Sequence, residues 1–196
     1  MTGGLGYIYP VMIAFNQILK PIVTAVFVFL AGNVLAQPEN RLDDLFDQLA
    51  QADDLGWEIV EDQIRTEWTR SGSHSMDFLF QRGIEALEQD DVYAAIEHLT
   101  ALTDHAPDFV EGWHMRAQAY YAAGLYGPAM DDLYRALALE PRHFDSLFGL
   151  AILFDELSQP ENAATMLRVL ETIHPNYPDA AMLLEQISEK LSGQEA

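Results

Sequence analysis

Pro107, Pro141 and Pro175 stand 34 residues apart, in the contexts DHAPDF, LEPRHF and TIHPNY. Proline lacks the N–H that a helix interior needs, and it pushes the residue before it out of the helical region. Each of the three therefore ends a helix. A chain whose helices stop on a fixed beat is built from one repeated unit, and a period in this range marks stacked helical pairs.

Alignment on the prolines gives blocks 76–109, 110–143 and 144–177, and other places fall into register. The eighth place holds Gly83, Ala117 and Ala151, and the twentieth holds Ala95, Ala129 and Ala163. The twenty-fourth holds Leu99, Leu133 and Leu167, and the twenty-seventh Leu102, Ala136 and Leu170. Larger residues recur at the fourth place (Leu79, Trp113, Leu147) and the eleventh (Ala86, Tyr120, Phe154). Spacings of three, four and seven predict two amphipathic helices per block. In the middle block GLYGP marks the turn between them, with Pro128 suited to a first helical turn. Small residues at places eight and twenty let the two helices approach, and the larger ones fill the space beside them. One such hairpin cannot bury its apolar face alone, whereas a capped stack can.

Over residues 76–177 the chain resembles the tetratricopeptide repeat family, most closely at Trp113, Ala117, Tyr120, Ala129, Leu133, Ala136 and Pro141. The resemblance implies an all-α, right-handed superhelical array of about three helix hairpins. Residues 37–75 are expected to form an N-terminal helical pair and a Gly/Ser linker. Its first helix, 41–55, carries Leu42, Leu45, Phe46 and Leu49 on one side; its second, 57–70, carries Trp57, Val60, Ile64 and Trp68. As a zeroth repeat this pair fits poorly, because Glu61 stands in an alanine place and Ser73 in a proline place. Both tryptophans are expected in the core. Residues 178–196 are expected to form a capping helix that begins at Pro178 and Asp179, followed by a frayed GQEA tail.

Residues 1–36 read as an address. Lys20 precedes the uncharged run PIVTAVFVFLA, and Val34 and Ala36 supply small residues three and one before a cleavage point. That pattern is a secretory signal peptide, and cleavage would leave Gln37 first. The alternative is an uncleaved membrane tether through residues 18–36, just long enough against the roughly 20 apolar residues a span requires. Translation starts at Met1 or at Met12, where a compact leader begins. Both readings export the remainder: to the periplasm, or anchored in the inner membrane facing it, in an exported protein of bacterial type.

The formal net charge is −21, with only 10 lysines and arginines. Such a surface repels phosphate backbones, which excludes nucleic acid as an expected partner. It suits basic partners. The absence of cysteine removes disulfides, thiolate zinc sites and thiol nucleophiles. No phosphate-binding glycine loop, dinucleotide fingerprint or nucleophile elbow is present, and Ser71 and Ser73 in SGSHS read as a turn. The acid pairs Asp53-Asp54, Asp90-Asp91 and Asp131-Asp132 lack calcium-loop spacing and are expected at turns and helix starts. His114 and His143 could approach each other, while His98, His105 and His174 fall near second-helix ends. No helical histidine pair with a glutamate has zinc-hydrolase spacing, so no metal or other cofactor is expected.

By the family resemblance, the first helix of each pair lines a groove. The implied partner-binding residues are Phe80, Ile84 and Leu87 from the first block, and His114, Gln118 and Tyr121 from the second. Phe148 and Ile152 come from the third, and Phe109, His143 and Tyr177 end the blocks. Acidic neighbours such as Asp77, Glu88, Glu111, Asp145, Asp155 and Glu156 edge this surface. It suits a protein or peptide with apolar anchors and basic flanks. The lysines and asparagines with which some family members clamp a carboxylate are missing. A competing occupant is the chain's own 41–55 helix. The resulting expectation is a non-catalytic binding adaptor or scaffold in the periplasm. The alternative is a permanently bound subunit or assembly factor of an envelope membrane complex, tethered by an uncleaved N-terminal helix.

Overall fold

The computed structural model describes residues 38–52 and 56–194. The address or tether, both candidate starts, and Asp53 and Asp54 lie outside the described residues. Every regular element among the described residues is a helix: α1 (Pro38–Gln51), α2 (Trp57–Trp68), α3 (His74–Glu88), α4 (Val92–His105), α5 (Val110–Ala122), α6 (Tyr126–Leu139), α7 (Phe144–Glu156), α8 (Pro160–Ile173) and α9 (Ala180–Gln194). The residues from Leu42 on form one compact unit. Within it α3–α4, α5–α6 and α7–α8 pair as hairpins, each hairpin packs on the next, and α9 packs on α8.

The prolines act through one repeated turn. The N–H groups of Phe109, His143 and Tyr177 donate to the carbonyls of Ala106, Glu140 and His174 at 3.0, 3.0 and 3.1 Å. Each proline is thus the second residue of a four-residue turn, the place its fixed φ favours. A second repeated device joins the two helices of each pair. Asp90, Gly124 and Ser158 occupy the same place in their blocks and have φ of 60°, 73° and 56°. The next N–H reaches back five residues, from Asp91 to Ala86, Leu125 to Tyr120 and Gln159 to Phe154, at 2.8–2.9 Å. This is a left-handed helix stop that satisfies the last carbonyls. Gly56, the matching residue between α1 and α2, has φ −103°, so the N-terminal pair does not share the device.

Packing follows the small-residue places. Ala95, Ala129, Ala151 and Ala163 have no exposed surface, and Leu99 and Leu167 fill the space beside them. At Gly83 a Cβ would fall 2.6 Å from Leu99 Cγ, closer than side chains approach, so glycine is the residue that fits.

Three expectations need correction. Asp132 is neither at a turn nor at a helix start. It is buried within α6, where Arg116 Nε and Nη2 meet its two oxygens at 2.7 and 2.8 Å. The guanidinium also donates to Thr103 Oγ1 at 2.8 Å and lies 4.9 Å over the Trp113 ring. A charge in the interior is tolerated because it is paired and fully hydrogen-bonded. The capping helix begins at Ala180, not Pro178: Asp179 has φ 62° and stands outside it, while its carbonyl takes the Leu183 N–H at 2.9 Å. Gly193 and Gln194 are helical, not frayed, with Leu191 packed against the core one turn earlier.

Ser158 holds a left-handed conformation that costs a residue with a Cβ roughly 1–2 kcal/mol. Ser158→Gly is expected to stabilise the chain by about 0.5–1 kcal/mol once the glycine's larger unfolded-state freedom is set against that relief. A higher urea midpoint at constant slope is the measurement.

Candidate functional site

Helix α2 is fixed to the array by aromatic stacking and by charge. Trp68 is buried, its ring centre 4.1 Å from that of His143 and 4.7 Å from that of Phe144. Phe46 of α1 packs on Trp68 at 6.0 Å, and Arg142 lies 4.2 Å over the Phe46 ring while bonding Asp43 at 2.7 Å. Arg65 grips Asp145 with both terminal nitrogens, Nη2 at 2.8 Å from Oδ1 and Nη1 on Oδ2. Its Nε donates to Glu61 at 2.8 Å, and Glu61 also meets His174 Nε2 at 2.8 Å. Burial works against the Glu61 carboxylate, yet the hydrogen bonds to His174 and Arg65 hold its pKa below the ordinary value. Tyr177 donates its hydroxyl to Asp145 Oδ1 at 2.8 Å, and burial followed by the Asp145 charge drives that phenol's pKa up.

Beside this contact a groove of about 400 Å³ runs between the first helices of successive pairs. Leu87 of α3 forms one wall; His114, Ala117, Gln118, Tyr121 and Ala122 of α5 form the floor; Phe148, Gly149 and Ile152 of α7 form the other wall. Asp145 and Tyr177 close one end. No residue lining it among the described residues comes from α1 or α2, so α1, whose described residues end the expected 41–55 helix at Gln51, packs on Trp68 and Phe144 and not in this groove. The lining is mostly apolar.

Leu87, His114, Gln118, Tyr121, Phe148, Ile152 and Tyr177 therefore come together around one space. Phe80 and Phe109 lie elsewhere: both are buried, edge to face at 5.3 Å, in the core between α3 and α4, and Ile84 packs beside them. The Ala106–Phe109 turn tucks Phe109 back under α3. His143 is fully buried beneath Trp68. Sequence reasoning missed Arg65, Ser146 and the role of Trp68. The only signal was a tryptophan and an arginine on one stretch of α2, and a contact spanning 80 residues has no local signature.

His114 and His143 do approach, at 5.0 Å between rings, with Ser146 between them. The Ser146 backbone N–H points at His143 Nδ1 at 3.2 Å, so that nitrogen is an acceptor and the proton sits on Nε2. Nε2–H then donates to Glu111 at 3.0 Å. Ser146 Oγ, 2.8 Å from the same Nδ1, donates its proton there too, and its oxygen accepts from His114 Nδ1–H at 3.3 Å. His114 Nε2 is thus a bare acceptor and takes a proton of the Gln118 amide at 2.8 Å. One direction of donation runs from Gln118 through His114, Ser146 and His143 to Glu111. A serine, a histidine and a glutamate in contact suggest a nucleophile and its base. Ser146 has no exposed surface, however, so no substrate atom reaches its oxygen, and His143 Nδ1 is occupied in capping α7.

Burial holds the His114 pKa below the usual 6.5, with Glu111 opposing and His143 reinforcing the shift. Glu111 is held below 4.5: burial opposes ionisation, but the hydrogen bond with His143 and the positive neighbours prevail. The unfolded chain therefore takes up protons before the folded one at both groups, and stability falls on acidification. The melting temperature is expected to be flat above about pH 6.5, to fall as His114 is forced to charge, and to fall again below 4.5 as Glu111 protonates. In His114→Gln the first decline is expected to vanish and the second to persist, as circular dichroism melts across pH would read.

No protein-family model matches the chain. A TPR repeat-containing protein of Rhizobium etli is 34% identical over 165 residues, which cover 82% of this chain and 79% of that protein. Among solved structures, the Sgt2 TPR domain from Aspergillus fumigatus is similar at TM-score 0.60 and 20% identity, over 63% of this chain and 83% of that one. The first TPR of Spaghetti (RPAP3), bound to an HSP90 peptide, gives 0.58 and 23% over 60% and 93%. The Yersinia enterocolitica type III secretion chaperone SycD, in complex with a peptide of the translocator YopD, gives 0.57 and 15% over 60% and 95%. With helix hairpins stacked on a 34-residue period and a relative of this identity along most of its length, the chain belongs to the tetratricopeptide repeat family.

Proposed function

We propose that the chain is a non-catalytic adaptor that works outside the cytoplasm and holds a protein segment in the groove between α3, α5 and α7. The observation that carries this reading is the groove itself: a mostly apolar space of about 400 Å³ left open between the first helices of successive pairs. Its size suits one or two anchoring side chains, and burying an aliphatic or aromatic anchor contributes about 1.5–3 kcal/mol. A net charge of −21, with Glu156 beside Tyr121 at the rim, favours a segment with basic residues flanking the anchor. Two of the similar solved domains hold peptides, which supports the reading by analogy of fold. The burial of Ser146 supports the absence of hydrolytic chemistry at the one suggestive cluster.

The binding reading is tested with Tyr121→Ala combined with Phe148→Ala. Tyr121 is 38% exposed and Phe148 half-buried, so the pair trims groove wall and floor more than core. Affinity for phenylalanine-anchored basic peptides, measured by fluorescence anisotropy, is expected to fall at least tenfold with helicity retained. Unfolding of the double variant, or unchanged affinity, would count against the groove. Export is tested separately: the protein recovered from its own cells is expected to begin at Gln37, in keeping with Val34 and Ala36 before the cut.

A further inference from the structure

We propose that Gln118 determines the specificity of the groove by presenting a fixed hydrogen-bond acceptor, so that the anchor's neighbour in the partner is an N–H donor such as arginine or lysine. This rests on the binding function proposed above and deepens it. An exposed glutamine amide can present either its oxygen or its NH₂, and alone it reads nothing. Here the choice is made by buried groups. The Ser146 N–H on His143 Nδ1 sets that ring's tautomer, the serine hydroxyl follows, and His114 is left with an unprotonated Nε2 facing Gln118 at 2.8 Å. Only the NH₂ of Gln118 can satisfy that nitrogen, and Oε1 is turned away from it. Oε1 accepts no hydrogen bond from the described residues, and Gln118 is an exposed residue of the groove floor.

The other polar groups agree in sign. Asp145 and Glu111 face His114 as negative charges, and Arg65 is taken up by Asp145 and Glu61. The Tyr177 hydroxyl is spent on Asp145, and the Tyr121 hydroxyl is engaged by Glu156. The groove thus has acceptors to offer, and apart from the second Gln118 amide proton its donors are committed. A carboxylate in the partner would meet oxygen, and a guanidinium or ammonium would find partners.

The test uses the full chain and fluorescein-labelled eight-residue peptides with one central phenylalanine, carrying arginine, citrulline or glutamate one, two or three residues after it. The arginine series is expected to bind about tenfold more tightly than the glutamate series, the scale of one charge-assisted hydrogen bond. Citrulline, which keeps the N–H donors without the charge, is expected to lie closer to arginine than to glutamate. Gln118→Met, of similar length but with no acceptor, is expected to weaken arginine and citrulline peptides about threefold or more relative to glutamate ones, leaving the preference that the surrounding acidic groups supply. Ser146→Ala tests the positioning role: ¹H–¹⁵N spectra of His114 are expected to change from the Nδ1–H form to a mixture, with the arginine preference reduced. Equal binding of the three series by the wild type, an arginine preference undiminished by Gln118→Met, or a His114 tautomer unmoved by Ser146→Ala would overturn the inference. Failure of every peptide to bind would overturn the binding function itself.

Discussion

Close approach of the two helices in each pair is the constraint from which the other features follow. Alanine at places eight and twenty, and glycine where Leu99 leans across, let the paired helices approach closely at those places. With no bulk between the paired helices, the larger residues at places four, eleven and twenty-four must pack at the flanks and toward the next hairpin. That arrangement makes each hairpin depend on its neighbour for burial, and it is why the stack ends in a helix, α9, whose inner side carries Ile187 with no exposed surface. It also leaves the first helices side by side with a gap between them, which is the groove.

Charge inside this fold is arranged in closed sets. Arg116 with Asp132 spans one hairpin, and Arg65 with Asp145 and Tyr177 fastens α2 to the array. Leaving any one member unpaired in such a set costs far more than the set contributes when complete. These sets therefore act less as a source of stability than as a lock on register. Helix α2 cannot slide along the array without stranding Asp145. Trp68 adds apolar area to the same contact, so charge and burial fix the same position.

The sequence declared the repeats and their helical content through prolines and small residues on one period, because both act locally: proline on its own backbone, alanine on the helix it faces. Leu87, Gln118, Tyr121, Phe148 and Ile152 could be placed near one another for the same reason, since each occupies a fixed place in the unit. Features that depend on distant segments were illegible. Asp90 and Ser158 adopt the left-handed conformation that Gly124 advertises, but neither residue type announces it. Asp132 reads as a surface acid until Arg116 is known to lie against it. His143 belongs to a groove position by periodicity and is hidden only because Trp68, on a helix outside the period, lies over it.

That last contact has a thermodynamic corollary. His143 carries Trp68 on its ring face and is a link in the hydrogen-bonded chain that runs from Gln118 to Glu111, so the N-terminal helices and the groove act on one shared set of atoms. Linkage is symmetric: whatever free energy the seating of α2 adds to ligand capture, ligand capture returns to the seating of α2. On the binding function proposed above, the helices outside the repeats are a part of the groove's support and not a lead-in to it.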